Sequence, residues 1–159
     1  MELDYQCFVD IRFSGGDIQF DVSSDTQLFS FKSGIGFVAI PHFLSTLSSL
    51  YKGEINEAQL DCHGNFDYYK FFCDDANLFI EHIGHYPEGI FKYQFKLKEY
   101  MEAIDTGFKK YLQQLEKKGI LPLKTQKMGH PLGDDVLNAF YNFSSLLNGW
   151  FYNSTNPAG

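Results

Sequence analysis

The sequence predicts an α+β fold in which an antiparallel sheet of about six to seven strands carries helices packed on one face. Three observations lead there. Much of the first hundred residues alternates apolar and polar side chains with a period of two, the signature of half-buried strands. Turn-forming residues join successive alternating stretches, which makes chain neighbours antiparallel partners. The remainder carries long apolar stripes at helical spacing.

Tyr5, Cys7, Val9, Ile11 and Phe13 are apolar and the residues between them mostly polar, so residues 5–13 form the first strand. Ser14, Gly15, Gly16 and Asp17 make a turn. Ile18, Phe20 and Val22 then alternate with Gln19 and Asp21 to complete a hairpin. A third short strand covers residues 27–32. Gly34 and Gly36 interrupt the pattern, and Pro41 opens a helix over residues 41–52, its missing N–H being harmless in a first turn. Ile40, Phe43, Leu44, Leu47, Leu50 and Tyr51 form its apolar face, and Gly53 ends it.

Strands resume over residues 58–62, 66–73 and 78–83, with turns at Gly64 and Asn65 and at Asp74 and Asp75. After the turn around Pro87 and Gly89, Phe91, Tyr93, Phe95 and Leu97 face opposite Lys92, Gln94, Lys96 and Lys98. This strand thus has one apolar face and one nearly all-basic face. The clearest helix follows over residues 100–117, with Tyr100, Met101, Ile104, Phe108, Leu112 and Leu115 in its stripe and Gly119 as cap. Residues 120–133 hold Pro122, Pro131, Gly129 and Gly133 and read as a loop, and residues 134–152 as a final helix. One domain over residues 1–152 and a frayed tail over residues 153–159 follow.

With 159 residues, the chain is long enough to bury a core without a disulfide or metal staple. Aromatics make up 18% of it, so the body of the chain is not a disordered segment. The formal charge is −7 and Arg12 is the lone arginine, which argues against nucleic acid as a partner because phosphate binding draws on Lys and Arg. An acidic surface attracts a basic protein and speeds its docking. The same charge also serves solubility. No basic segment followed by an apolar run opens the sequence, and no stretch approaches the ~20 apolar residues of a membrane-spanning helix. With Cys7, Cys62 and Cys73 read as reduced thiols, the expectation is a cytoplasmic protein away from membranes.

Candidate chemistry is sparse. Cys62, His63, Cys73, His82 and His85 raise the question of zinc, but no CxxC or HxxxH pair is present. In a strand His82 and His85 fall on opposite faces, and a turn at Gly64 and Asn65 keeps Cys62 from facing Cys73. Asp74 and Asp75, with Glu81 nearby, read as turn residues before they read as a cation site. Asp134 and Asp135 suit a helix N-terminus. No Gly-x-Ser-x-Gly elbow occurs, and the glycines near Ser33 lack the lysine of a phosphate loop. No catalytic residue, cofactor or metal is therefore expected. Phe66, Tyr68, Tyr69, Phe71, Phe72 and Phe79 read as core and sheet pairing, with Tyr68, Tyr69 and Tyr86 as possible partner anchors.

Ile40, Pro41, His42, Phe43 and Leu44, continuing through Leu47, Leu50 and Gly53, form a short leucine-rich helix. An aromatic-rich strand follows, and Phe91, Tyr93, Phe95 and Leu97 run directly into the helix of residues 100–115. This arrangement, over roughly residues 40–118, resembles one group of bacterial immunity proteins encoded beside polymorphic toxins of the contact-dependent or type VI kind. The resemblance implies a cytosolic protein that binds one cognate toxin domain and occludes its active site. Its motifs are hydrophobic patterns, so no binding residue carries across. The acids near strand turns supply the candidate contacts with a basic toxin: Asp17, Asp21, Asp61, Asp67, Asp74, Asp75 and Glu81, with Tyr68, Tyr69 and Tyr86. Two other classes remain open: a non-catalytic adaptor for another basic protein, and a ligand carrier or enzyme with an aromatic-lined pocket. The oligomeric state and strand order are likewise open.

Overall fold

Neighbouring strands pair antiparallel wherever they share a sheet, but the strands divide between two sheets. The computed structural model describes residues 8–14, 17–24, 27–34, 36–62, 66–85, 88–121 and 132–149. β1 (Phe8–Ser14), β2 (Asp17–Ser23) and β3 (Leu28–Ser33) make a three-stranded sheet in that order. After α1 (Gly36–Lys52), β4 (Glu57–Asp61), β5 (Tyr68–Asp74), β6 (Asn77–His85) and β7 (Glu88–Lys96) make a four-stranded one. α2 (Leu97–Lys117) and α3 (Asp134–Leu147) complete the chain.

The expectation of one continuous sheet is thus corrected. Turn chemistry specifies only which strand pairs with its chain neighbour, and α1 interrupts that succession between β3 and β4. The inner faces of the two sheets meet instead. Phe29 and Phe31 of β3 pack against Tyr69 and Phe71 of β5, and Phe29 also meets Tyr93 of β7, with ring centroids 5.0–6.5 Å apart. Phe43 of α1 stands at the junction. It stacks on Phe31 at 4.5 Å and meets Phe20, Phe71 and Tyr100, so one ring joins both sheets and α2.

Local chemistry explains the joins. The first N–H of α2, at Leu97, donates to the Ala76 carbonyl in the β5–β6 turn at 2.9 Å, so β7 passes into the helix without a loop. Gly107 faces β1 so closely that a Cβ there would lie 1.9 Å from Val9 Cγ1, which makes glycine the fitting residue despite its poor helix propensity. Asp105, buried, accepts from Lys109 and from Asn148 just after α3, tying the two helices together.

Two boundaries move. α1 begins at Gly36, five residues before Pro41, so the proline lies inside the helix and removes one of its hydrogen bonds. Ala39 and Ile40, both buried, explain why that extra turn holds. α3 ends at Leu147, and Gly149 follows at a φ of 75°, the left-handed geometry that stops a helix. Residues 5–7, most of the loop over 120–133, and the tail lie outside the described residues.

Candidate binding surface

The register of β4 and β5 gathers several acids at one corner of the surface. Glu57 is opposite Phe72, and the Cys73 N–H donates to the Asn56 carbonyl at 2.9 Å. The start of β4 therefore lies beside the end of β5 and its turn. Glu54, Glu57, Asp74 and Asp75 are all exposed and share this end of the sheet. Asp75 holds a left-handed φ of 55°, which aspartate tolerates better than most residues. Lys52 pairs with Glu54 at 3.5 Å. Asp61, also exposed, continues the acidic character along β4.

Beside this corner lies the outward face of the four-stranded sheet. Successive rows across the strands read Asp61, Tyr68, Ile83 and Ile90; then Gln59, Lys70, Glu81 and Lys92; then Glu57, Phe72, Phe79 and Gln94, and beyond the first row the Phe66 ring lies 6.1 Å from that of His85. Phe72 stacks on Phe79 at 5.4 Å. Phe66 is 81% exposed and Ile90 62%, values unusual for large apolar groups that share one face. Phe66, grouped with the core on sequence grounds, is the most open of the exposed large hydrophobics, because it precedes β5 on the parity that faces outward.

Asp67 belongs to a different arrangement. Its Oδ2 is 2.9 Å from His82 Nε2, and its Oδ1 accepts the His85 N–H at 3.0 Å and lies 3.3 Å from His85 Nδ1. The spacing of the two histidines implied rings on opposite faces. Both meet Asp67, because His85 is the last residue of β6 and Asp67 sits just before β5 at the same end. Burial works to raise the Asp67 carboxyl, but the bonds from His82 and His85 outweigh it and hold it below the ordinary value. Asp67 is thus spent on holding β5 to β6.

The other sequence candidates separate. Tyr69 is 1% exposed, and its hydroxyl bonds the Lys32 backbone at 3.1 Å, so it is an inner contact between sheets and not a partner anchor. Burial pushes its hydroxyl well above the usual range. Tyr68, one residue earlier, faces outward by strand parity. Asp21 lies on the outward face of the three-stranded sheet. Burial would raise its carboxyl, yet bonds from Ser30, Gln19 and Arg12 leave it below its ordinary value. Asp17 begins β2 on the same sheet, remote in topology from Asp74. Glu81 stands between Lys70 and Lys92 in register. Tyr86 lies outside the described residues, as do His63 and Cys7.

Asp74, opposite Asn77, is separated along β6 from Glu81, so these acids do not converge on one cation. Among the described residues no group of three His, Cys, Asp or Glu side chains is placed to hold a metal ion. Burial pushes the Cys73 thiol up, which disfavours a reactive thiolate. A cleft of about 800 Å³ opens between α1 and α3, lined by Pro41, Ser45, Ser48, Lys52, Asn142 and Phe143 among others. It is rich in hydroxyls, unlike the aromatic-lined pocket considered from composition. Among the described residues no helix is long and apolar enough to cross a membrane.

Glu54 and Glu57 escaped the sequence reading. Their signal was present, since a turn centred at Gly64 and Asn65 already places Glu57 across from Phe72. No protein-family profile, curated protein or solved structure matches the chain.

Proposed function

We propose that this chain is a binding protein of the immunity type, which docks on a basic toxin domain and blocks it by occlusion and complementary charge. The observation that carries this reading is the convergence of Glu54, Glu57, Asp74 and Asp75 on one corner, where Lys52 is the cation in ion-pair contact among the described residues. The net charge of −7 strengthens the field such a corner projects. Non-catalytic action accords with Asp67 being engaged by His82 and His85 and with the raised Cys73 thiol.

The test is affinity capture with the tagged chain, followed by expression of each captured protein alone and with the chain. The expected result is one stoichiometric basic protein, toxic alone and harmless when co-expressed. A variant combining Glu54→Lys, Asp74→Lys and Asp75→Lys is expected to weaken that complex at least about tenfold and restore toxicity. Full protection by the variant would remove the corner from the interface, and the absence of any toxic partner would remove the immunity reading. A small-ligand carrier is the second reading, favoured by the cleft between α1 and α3. It predicts a ligand-dependent rise in melting temperature that a bulky residue at Ser48 abolishes.

A further inference from the structure

We propose that the outward face of the four-stranded sheet is a self-association surface whose occupant is a second copy of this chain, related by a two-fold axis parallel to the strands between β5 and β6. This goes beyond the toxin-binding reading.

The face is self-complementary under that operation. A two-fold axis in this position lays β5 over β6 of the second copy and β4 over its β7. Tyr68 then meets Ile83 of the second copy, Lys70 meets Glu81, and Phe72 meets Phe79. Each of these contacts occurs twice. The outer strands carry opposite charge on this face, Glu57 and Asp61 on β4 against Lys92 and Lys96 on β7. Superposing β4 on β7 sets Asp61 over Ile90, Gln59 over Lys92 and Glu57 over Gln94 of the second copy, so along both margins each charge faces a neutral side chain and no like charges meet. A face with acids on both edges, or bases on both, would repel its own copy.

The apolar content gives such contact its driving force. Tyr68, Phe72, Phe79, Ile83 and Ile90 lie on the face, with Ile90 62% exposed. Every helix described contributes its apolar stripe to the inner core.

Edge-to-edge pairing through β7 is the competing route, and Gln27 obstructs it. Its side-chain oxygen accepts the Gln94 N–H at 3.1 Å, and its side-chain nitrogen donates to the Gln94 carbonyl. One amide thus occupies the backbone groups of Gln94, in the middle of the edge a neighbouring strand would use. Four strands at roughly 4.8 Å spacing make a small interface, so the dimer is a reversible one.

Sedimentation velocity on the full chain, from about 5 to 500 µM, tests this directly. The expected result is a concentration-dependent monomer–dimer equilibrium. Lys70→Glu and Glu81→Lys each weaken it at least about tenfold, and the double variant returns to within about threefold of the parent. Lys70 and Glu81 also oppose each other within one chain, so circular dichroism and melting temperature accompany each measurement. Phe79→Lys provides a second variant, expected to abolish the dimer while leaving the toxin-binding acids untouched. A monomer at every concentration, an open-ended assembly, a dimer indifferent to these substitutions, or a charge swap that fails to rescue would each overturn the proposal. None of these outcomes depends on whether a toxin partner exists, and none alters the assay that tests for one.

Discussion

The two sheets bury similar inner faces and present very different outer ones. On the three-stranded sheet the outward side is polar at its centre. Arg12 pairs with Asp21 and reaches Asp10 at 3.7 Å, and Gln19 bonds Asp21 at 2.8 Å. On the four-stranded sheet the outward positions include Tyr68, Phe72, Phe79, Ile83 and Ile90, with charges confined to one central row and the margins. Inward, both sheets supply aromatic rings to one core, Phe20, Phe29 and Phe31 from one and Tyr69 and Phe71 from the other. Cross-strand pairs such as Phe72 on Phe79 contribute to the sheet itself, at 5.4 Å between ring centroids. The apolar outer face is the feature on which the self-association proposal rests.

Substitutions at the shared inner face should have the largest effect. Phe43 is fully buried and touches both sheets and α2, so Phe43→Ala is expected to cost about 3–5 kcal/mol in urea unfolding. A loss under about 1 kcal/mol would show that the two sheets are stabilised separately. Gly107→Ala comes next. On helix propensity alone it would stabilise by about 1 kcal/mol. Contact with Val9 reverses the sign, and a net loss of about 1–2 kcal/mol in the same experiment is expected. Paired Val9→Ala should recover much of it, a check that the cost arises between β1 and α2.

Asp67→Asn sharpens the comparison from within the four-stranded sheet. The change removes the charge-assisted bonds to His82 and His85 and is expected to cost about 1–2 kcal/mol near neutral pH. The folded carboxyl lies below its ordinary value, so its contribution is full above about pH 4 and fades as pH falls through the lower folded value. The parent should therefore lose stability more steeply below pH 4 than the variant, which thermal melts across that range would show. Arg12→Ala, on the polar outer face, is expected to change stability by less than about 1 kcal/mol and to leave sedimentation unaltered.

The strands and the helix of residues 100–117 were legible because each rests on a local rule: period two, helical spacing, turn residues. Asp74 was read as a candidate contact and Glu57 was not, although the turn recognised at Gly64 and Asn65 already implied that the two are neighbours. The division into two sheets was not legible, since it depends on how Phe29 and Phe31 meet Tyr69 and Phe71 across α1. Tyr69 was misplaced for the same reason. Alternation separates it from Tyr68 but does not say which face is inward. The Asp67 contacts needed the ends of two strands to coincide, which no single segment records.

The most direct measurement is hydroxyl-radical footprinting of the protein alone at low and high concentration. If the outward face of the four-stranded sheet is a contact surface, oxidation of Tyr68, Phe72 and Phe79 should fall as concentration rises. Tyr141, 54% exposed on α3, should keep its reactivity and serve as the reference. Equal reactivity of all four residues at both concentrations would contradict the claim and leave that face as ordinary solvated surface.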